Sequence, residues 1–270
     1  MSILSKIFSD LKQSGQKAFI PFITTGDGGM DNSEAAMFAL VQNGADIIEL
    51  GMPFSDPMAD GPVIAKSHER AVADGVNLHY VFGLVERLRE HNNTTGVVLM
   101  GYTNPIEVFG YKAFAERAYE AGVDGVLVVD MPPEEAQDFK AELDAVGIDL
   151  IFLVAPTTTD ERLEVIAKVA SGFVYYVSLK GVTGAGNLDV DSVNHHLARI
   201  RKVMDLPVGV GFGIKDAETA RKVSESADAV IVGSTIVSII EQLSDDRDKM
   251  VTKVGNLARQ ISSAIKKDYI

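Results

Sequence analysis

Cysteine is absent from the 270 residues. That excludes a disulfide framework, thiol catalysis and a zinc–thiolate site. Basic residues are in deficit: 25 Lys and Arg stand against 38 Asp and Glu, a formal charge of −13. So acidic a chain argues against nucleic acid or an anionic membrane as its main partner. It leaves room for an anion site built from backbone N–H groups, which needs no Lys or Arg. No apolar run approaches the ~20 residues of a membrane-spanning helix. The opening stretch has Lys6 inside its apolar part and Asp10 after it, so it lacks the unbroken core of a signal peptide. Linkers and low-complexity segments are also missing. The expectation is a soluble, cytoplasmic, globular protein with one domain over residues 1–270.

What is present is a repeating pattern: a short apolar run, a loop with Gly or Pro, then an amphipathic stretch. Hydrophobic residues make up 46% of the chain, enough for a sizeable core. The apolar runs are Phe19–Thr24, Asp46–Leu50, Gly96–Met100, Gly125–Val129, Asp149–Leu153, Phe173–Val177, Val208–Gly211 and Ala229–Val232. They are mostly continuous rather than alternating, as parallel strands buried on both faces are. Helical patterns lie between them, at Glu34–Gln42, Tyr111–Ala121, Glu134–Ala145, Glu161–Ala170 and Asp216–Ser224. Eight such units predict an α/β fold of the (β/α)8 TIM-barrel type. An open doubly wound sheet would use the same alternation. The amphipathic Ser2–Lys12 stretch predicts an additional N-terminal helix over the barrel's bottom. Two connections are long, Gly51–Gly61 and Ser178–Asp189. Both fall after strands, on the face where barrel enzymes place their sites.

Glu49 lies inside the second apolar run. A buried carboxylate costs several kcal/mol unless paired or protonated, and desolvation would raise its pKa toward the range of a general acid/base. Pairing with a buried Lys or Arg is the structural alternative. The loop that follows carries Pro53, Pro57 and Pro62, which stiffen it, together with Asp56 and Asp60. Ordinary turn chemistry accounts equally well for Asp56, and spacing alone does not decide Asp60. Gly181, Gly184 and Gly186 make the second long loop a candidate lid. Gly209-Val210-Gly211-Phe212-Gly213 ends the seventh run, and Gly233-Ser234 ends the eighth and opens a helix. Barrels often bind phosphate there, on the loops after strands seven and eight. Gly213, Gly233 and Ser234, with Gly184 from the lid, are the candidate cradle. The five histidines lie away from these loops except His68 and His79, which read as surface helix residues.

These segments resemble the tryptophan synthase α-subunit family over essentially the whole chain. The likeness rests on Glu49-Leu50-Gly51, Pro53-Phe54-Ser55-Asp56-Pro57, Ala59-Asp60-Gly61-Pro62, Gly181-Val182-Thr183-Gly184 and Gly211-Phe212-Gly213-Ile214. Pro21-Phe22, Gly101-Tyr102-Thr103-Asn104-Pro105 and Gly233-Ser234 add to it. The resemblance implies retro-aldol cleavage of indole-3-glycerol phosphate to indole and glyceraldehyde 3-phosphate. It implies Glu49 as acid/base at indole C3 and the glycerol hydroxyl, and Asp60 as acceptor from the indole N–H. Tyr175 matches an active-site tyrosine. Phe22, Met100, Leu127 and Phe212 would line the indole pocket, and Thr183 would hold the closed lid against the Asp60 loop. No metal or cofactor is implied for this chain. A PLP-dependent β subunit is the implied partner, in an α2β2 assembly, with Asp56 and the lid at the contact. A stand-alone lyase releasing free indole would keep the same residues. A non-catalytic scaffold would be expected to have lost Glu49 or Asp60. The sequence departs from the family pattern at Leu179, where Arg is common, at Met100, where Leu is common, and at Gly186.

Overall fold

The computed structural model describes residues 2–178, 190–211 and 213–266. Its eight strands are β1 Ala18–Thr24, β2 Ile47–Gly51, β3 Gly96–Gly101, β4 Gly125–Val128, β5 Asp149–Val154, β6 Val174–Val177, β7 Val208–Gly211 and β8 Ala229–Val232. All pair in parallel, each with the next and β8 with β1, closing a barrel in sequence order. The open-sheet alternative is thereby excluded. The helices in chain order are α1 Ile3–Gln13, α2 Met30–Gln42, α3 Pro62–Ala73, α4 Leu78–Arg89, α5 Thr103–Phe109, α6 Tyr111–Ala121, α7 Gln137–Val146, α8 Asp160–Val169, α9 Val190–Val203, α10 Ala217–Ser224, α11 Ser234–Gln242 and α12 Arg247–Ile265. Among the described residues no helix is long and apolar enough to cross a membrane.

Two apolar layers hold the fold. The outer one joins the outward faces of the strands to the ring of helices, through residues such as Phe19, Leu50, Leu99, Val126 and Phe152. The inner one fills the barrel with Ile20, Ile47, Val98, Leu127, Ile151, Phe173 and Ile231. Helix α1 closes its lower end. Ser2 caps that helix by accepting from the Ser5 N–H, and Leu4 and Phe8 join the inner cluster. A Cβ at Gly96 or Gly125 would come within 2.8 Å of Leu4. Glycine at these two strand starts is what lets Leu4 plug the bottom.

The same end carries a repeated polar device. An oxygen side chain just before each even-numbered strand accepts a backbone N–H of the preceding odd-numbered one. Asp46 takes Phe19 N at 2.8 Å, Asp124 takes Val97 N at 2.8 Å, Ser171 takes Leu150 N at 3.0 Å and Asp228 takes Val208 N at 3.0 Å. Cations neutralise the aspartates: Lys266 beside Asp46, Arg89 beside Asp124, Arg201 beside Asp228.

Candidate active site

Because all strands are parallel, their C-terminal ends meet on the face opposite α1. Alternate residues of a barrel strand point inward. Glu49 and Gly51 follow inward-facing Ile47 at that period, and Met100 follows Val98. Phe22 sits beside Glu49 in register, Met100 between Gly51 and Leu127, and Tyr175 beside Leu153 and Gly209. The barrel thus brings Phe22, Glu49, Met100, Leu127 and Tyr175 to one mouth. Leu127 is fully buried and forms its floor, while Met100 is half-buried at the rim.

Glycines shape this mouth. A Cβ at Gly51 would lie 2.7 Å from the Phe22 ring, and one at Gly211 would lie 2.1 Å from the Tyr175 hydroxyl. Each aromatic ring therefore occupies the space of a missing side chain. Gly213, with φ of 76°, adopts the left-handed conformation that favours glycine. Gly233 precedes the first turn of α11, and Ser234 begins that helix. The two lie at strand-end positions where N–H groups are free to meet an anion. Thr183, Gly184 and Phe212 lie outside the described residues, as do Leu179, Lys180 and Gly186 and with them the whole of the expected Gly181–Gly186 lid.

The two carboxyls differ in their surroundings. Glu49 is fully buried, and neither of its oxygens finds a hydrogen-bond partner among the described residues. Burial first, then the nearby negative charge of Asp60, pushes its pKa up to about 8. Among the described residues no Lys or Arg pairs with Glu49, so the structural alternative of a buried ion pair is not formed there. Asp60 stands at the end of the β2–α3 loop, just before Gly61 and Pro62 open α3. Pro at the first helical position forfeits only an N–H that would be unpaired anyway. The Tyr102 hydroxyl donates to Asp60 Oδ2 at 2.8 Å and accepts from Ala59 N at 3.1 Å. Burial raises the Asp60 pKa, and the Tyr102 bond opposes that rise. Tyr175 is buried, and its hydroxyl is pushed well above the usual range, first by burial and then by Glu49 and Asp60. These electrostatic couplings put the three groups in one field. Asp56 is exposed and accepts from Ser55 Oγ at 2.5 Å.

One reading is corrected and one residue added. His68 is not a surface residue: it is 2% exposed and lies on the buried stripe of α3 with Ser67 and Ala71. The i, i+3, i+4 spacing of Ile64, Ser67, His68 and Ala71 carried that signal. His79 is exposed, as expected. Tyr102 was part of a quoted motif but was not assigned a site role, and only the folded loop brings it to Asp60.

A closed parallel barrel whose mouth holds a buried carboxyl with a raised pKa, unpartnered among the described residues, and a second, hydrogen-bonded carboxyl is of the barrel-enzyme class. The chain belongs to the tryptophan synthase alpha chain family, whose sequence profile matches residues 8–266. Members of this family are lyases that cleave indole-3-glycerol phosphate. The chain is 64% identical over 266 residues to the tryptophan synthase alpha chain of Ruthia magnifica subsp. Calyptogena magnifica, covering 98% of this chain and all of that one. It is 58% identical over 242 residues to that of Paraburkholderia phytofirmans, covering 90% of each. Among solved structures, tryptophan synthase subunit alpha from Legionella pneumophila str. Paris superposes with a TM-score of 0.92 at 39% identity, covering 98% of each chain. A chain of Mycobacterium tuberculosis tryptophan synthase matches with a TM-score of 0.89 at 35% identity, covering 98% of this chain and 99% of that one.

Proposed function

We propose that Glu49 and Asp60 divide the cleavage of indole-3-glycerol phosphate between them. The observation that carries this reading is Glu49, buried with no hydrogen-bond partner among the described residues and pushed up to a pKa of about 8, in the field of a carboxyl that accepts from Tyr102. Glu49 delivers its proton to indole C3. Asp60 accepts the indole N–H and stabilises the positive charge that spreads into the ring. The Glu49 carboxylate then takes the proton of the adjacent glycerol hydroxyl. The C–C bond breaks, its electron pair returns to the ring as indole, the hydroxyl carbon becomes the aldehyde of glyceraldehyde 3-phosphate, and Glu49 is protonated again. Two carboxyls given different pKa values by their surroundings take different roles. Phe22, Met100, Leu127 and Tyr175 enclose the indole, and Gly213, Gly233 and Ser234 hold the phosphate through N–H groups. The family resemblance adds Phe212, Gly184 and Thr183, which lie outside the described residues.

The reading extends to a partner. Met58 in the β2–α3 loop and Val108 at the end of α5 are 78% and 82% exposed. Both follow strands on the same face as Asp56, and apolar residues so placed suit a protein contact. A β subunit docking there in an α2β2 assembly would receive the indole. The test is indole release. Glu49→Gln should lower kcat more than tenfold while KM changes little, because the lost proton acts on the transition state. Retention of more than about a tenth of kcat, a barrier change of only ~1.4 kcal/mol, would remove Glu49 from the mechanism.

A further inference from the structure

Three contacts converge on His68. It sits inside the cluster that holds Asp60, although its own position on α3 follows that carboxyl by two helical turns. Its Nδ1 accepts from Phe54 N at 3.1 Å. A ring nitrogen that accepts carries no proton, so the neutral imidazole bears its hydrogen on Nε2. Nε2 faces Asp60 Oδ2 at 3.7 Å. The ring meets Tyr102 edge-on, at 6.4 Å between centroids and 79° between planes, and Tyr102 donates to the same Oδ2. Phe54 also packs on Tyr102, with centroids 5.4 Å apart. Burial pushes the imidazole pKa down to about 4, so it stays neutral through the working range.

We propose that His68 is the positioning residue for Asp60, its Nε2–H closing on Oδ2 when substrate is bound and its Nδ1 tying that movement to the Phe54 amide. This rests on the role of Asp60 proposed above. The present separation exceeds a hydrogen bond of about 2.9 Å by less than an ångström, a distance that a small rotation of the Asp60 side chain covers. A carboxylate asked to stabilise a cationic ring gains from neutral donors. They favour its ionised form without cancelling the charge it offers the substrate, as a Lys or Arg would. Tyr102 is one such donor and His68 supplies the second. The other end of the imidazole is fixed by Phe54, early in the same β2–α3 loop that carries Asp56, Met58 and Asp60. A displacement of Phe54 therefore reaches the Asp60 carboxyl through this side chain as well as through the loop backbone.

The experiment separates the two ends of the ring. His68→Asn keeps an acceptor near the Nδ1 position for Phe54 but is too short to reach Asp60. His68→Gln carries its amide donor to about the Nε2 position. Indole release from the full chain should fall about tenfold in kcat for His68→Asn, with KM changed less than twofold. Activity should return to within about threefold of wild type in His68→Gln. The acid limb of the kcat profile should move to higher pH in His68→Asn and return in His68→Gln. Among the described residues Glu49, Tyr102 and Tyr175 are the other titratable groups facing Asp60 in this field. All three are unchanged in both variants, so the limb reports the donor to Asp60. In an Asp60→Asn background, His68→Asn should cost no further kcat. Wild-type kcat and an unmoved acid limb in His68→Asn would overturn the proposal, as would an undiminished loss in the Asp60→Asn background. Loss in both variants, matched by an equal loss of folded protein in thermal melts, would do the same. A wild-type chain that releases no indole at all would overturn the assigned reaction instead, and the two failures are thus told apart.

Discussion

A carboxyl buried at a barrel mouth with no partner among the described residues costs the fold something measurable. Unfolded, Glu49 titrates near 4.5, and folded it titrates near 8. Below pH 4.5 it is largely protonated in both states and costs little. As pH rises toward 8 the unfolded chain releases a proton that the folded chain keeps, so the contribution of this group to stability falls and then levels off. Glu49→Gln removes the titration. The variant should match wild type in stability near pH 4.5 and exceed it by a few kcal/mol near pH 9. Urea unfolding at both pH values checks this, and the same difference at both would mean that the folded carboxyl is already ionised. Glu49 was legible in the sequence because a charge inside an apolar run is conspicuous at any distance from its partners. Asp60 was not decided by spacing, since its meaning depends on Tyr102, 42 residues away. His68 was misread because the polar or charged neighbours Lys66, Glu69, Arg70 and Asp74 disguise the one stripe of α3 that turns inward.

Strand positions were legible almost to the residue, since most of the continuous apolar runs end where Gly, Thr, Ser or Asp interrupts them. The wide gap between the second and third runs holds two helices, α3 and α4. Helix α7 starts at Gln137 rather than Glu134 because Pro132 and Pro133 give the chain a turn first, closed by Glu135 N on Pro132 O at 3.0 Å. The N-terminal helix was foreseen from its amphipathic pattern. Its fit was not, because that depends on glycines at positions 96 and 125, far along the chain. Leu4 is fully buried between them. Leu4→Ala should destabilise the protein by about 2–5 kcal/mol, read from denaturant midpoints. Being at the opposite end from the site, it should leave the KM for indole-3-glycerol phosphate unchanged at a temperature where the variant is folded. A raised KM there would show that α1 reaches the mouth through the barrel interior.

The whole molecule has two ends with different chemistry, and each can be addressed alone. At the upper end, Val108→Asp places a charge where the partner contact is proposed. Affinity for a β subunit should fall about tenfold or more by calorimetric titration, while indole release by the free chain stays at the wild-type rate. Unchanged affinity would move the contact elsewhere. At the lower end, the four side-chain acceptors join β1 to β2, β3 to β4, β5 to β6 and β7 to β8. Each spans only 20 to 27 residues of chain. The barrel is in this respect a ring of four quarters, each sealed at its base by a hydrogen bond within the quarter, the Asp46 seam alone of the three aspartate seams taking its cation, Lys266, from beyond β8. Closing so short a loop costs little chain entropy. What remains for the late stage of assembly is to bring quarters together, and the apolar plug of α1 enters a base whose seams are already local. The end of the molecule that does no chemistry is therefore where its order of construction is written.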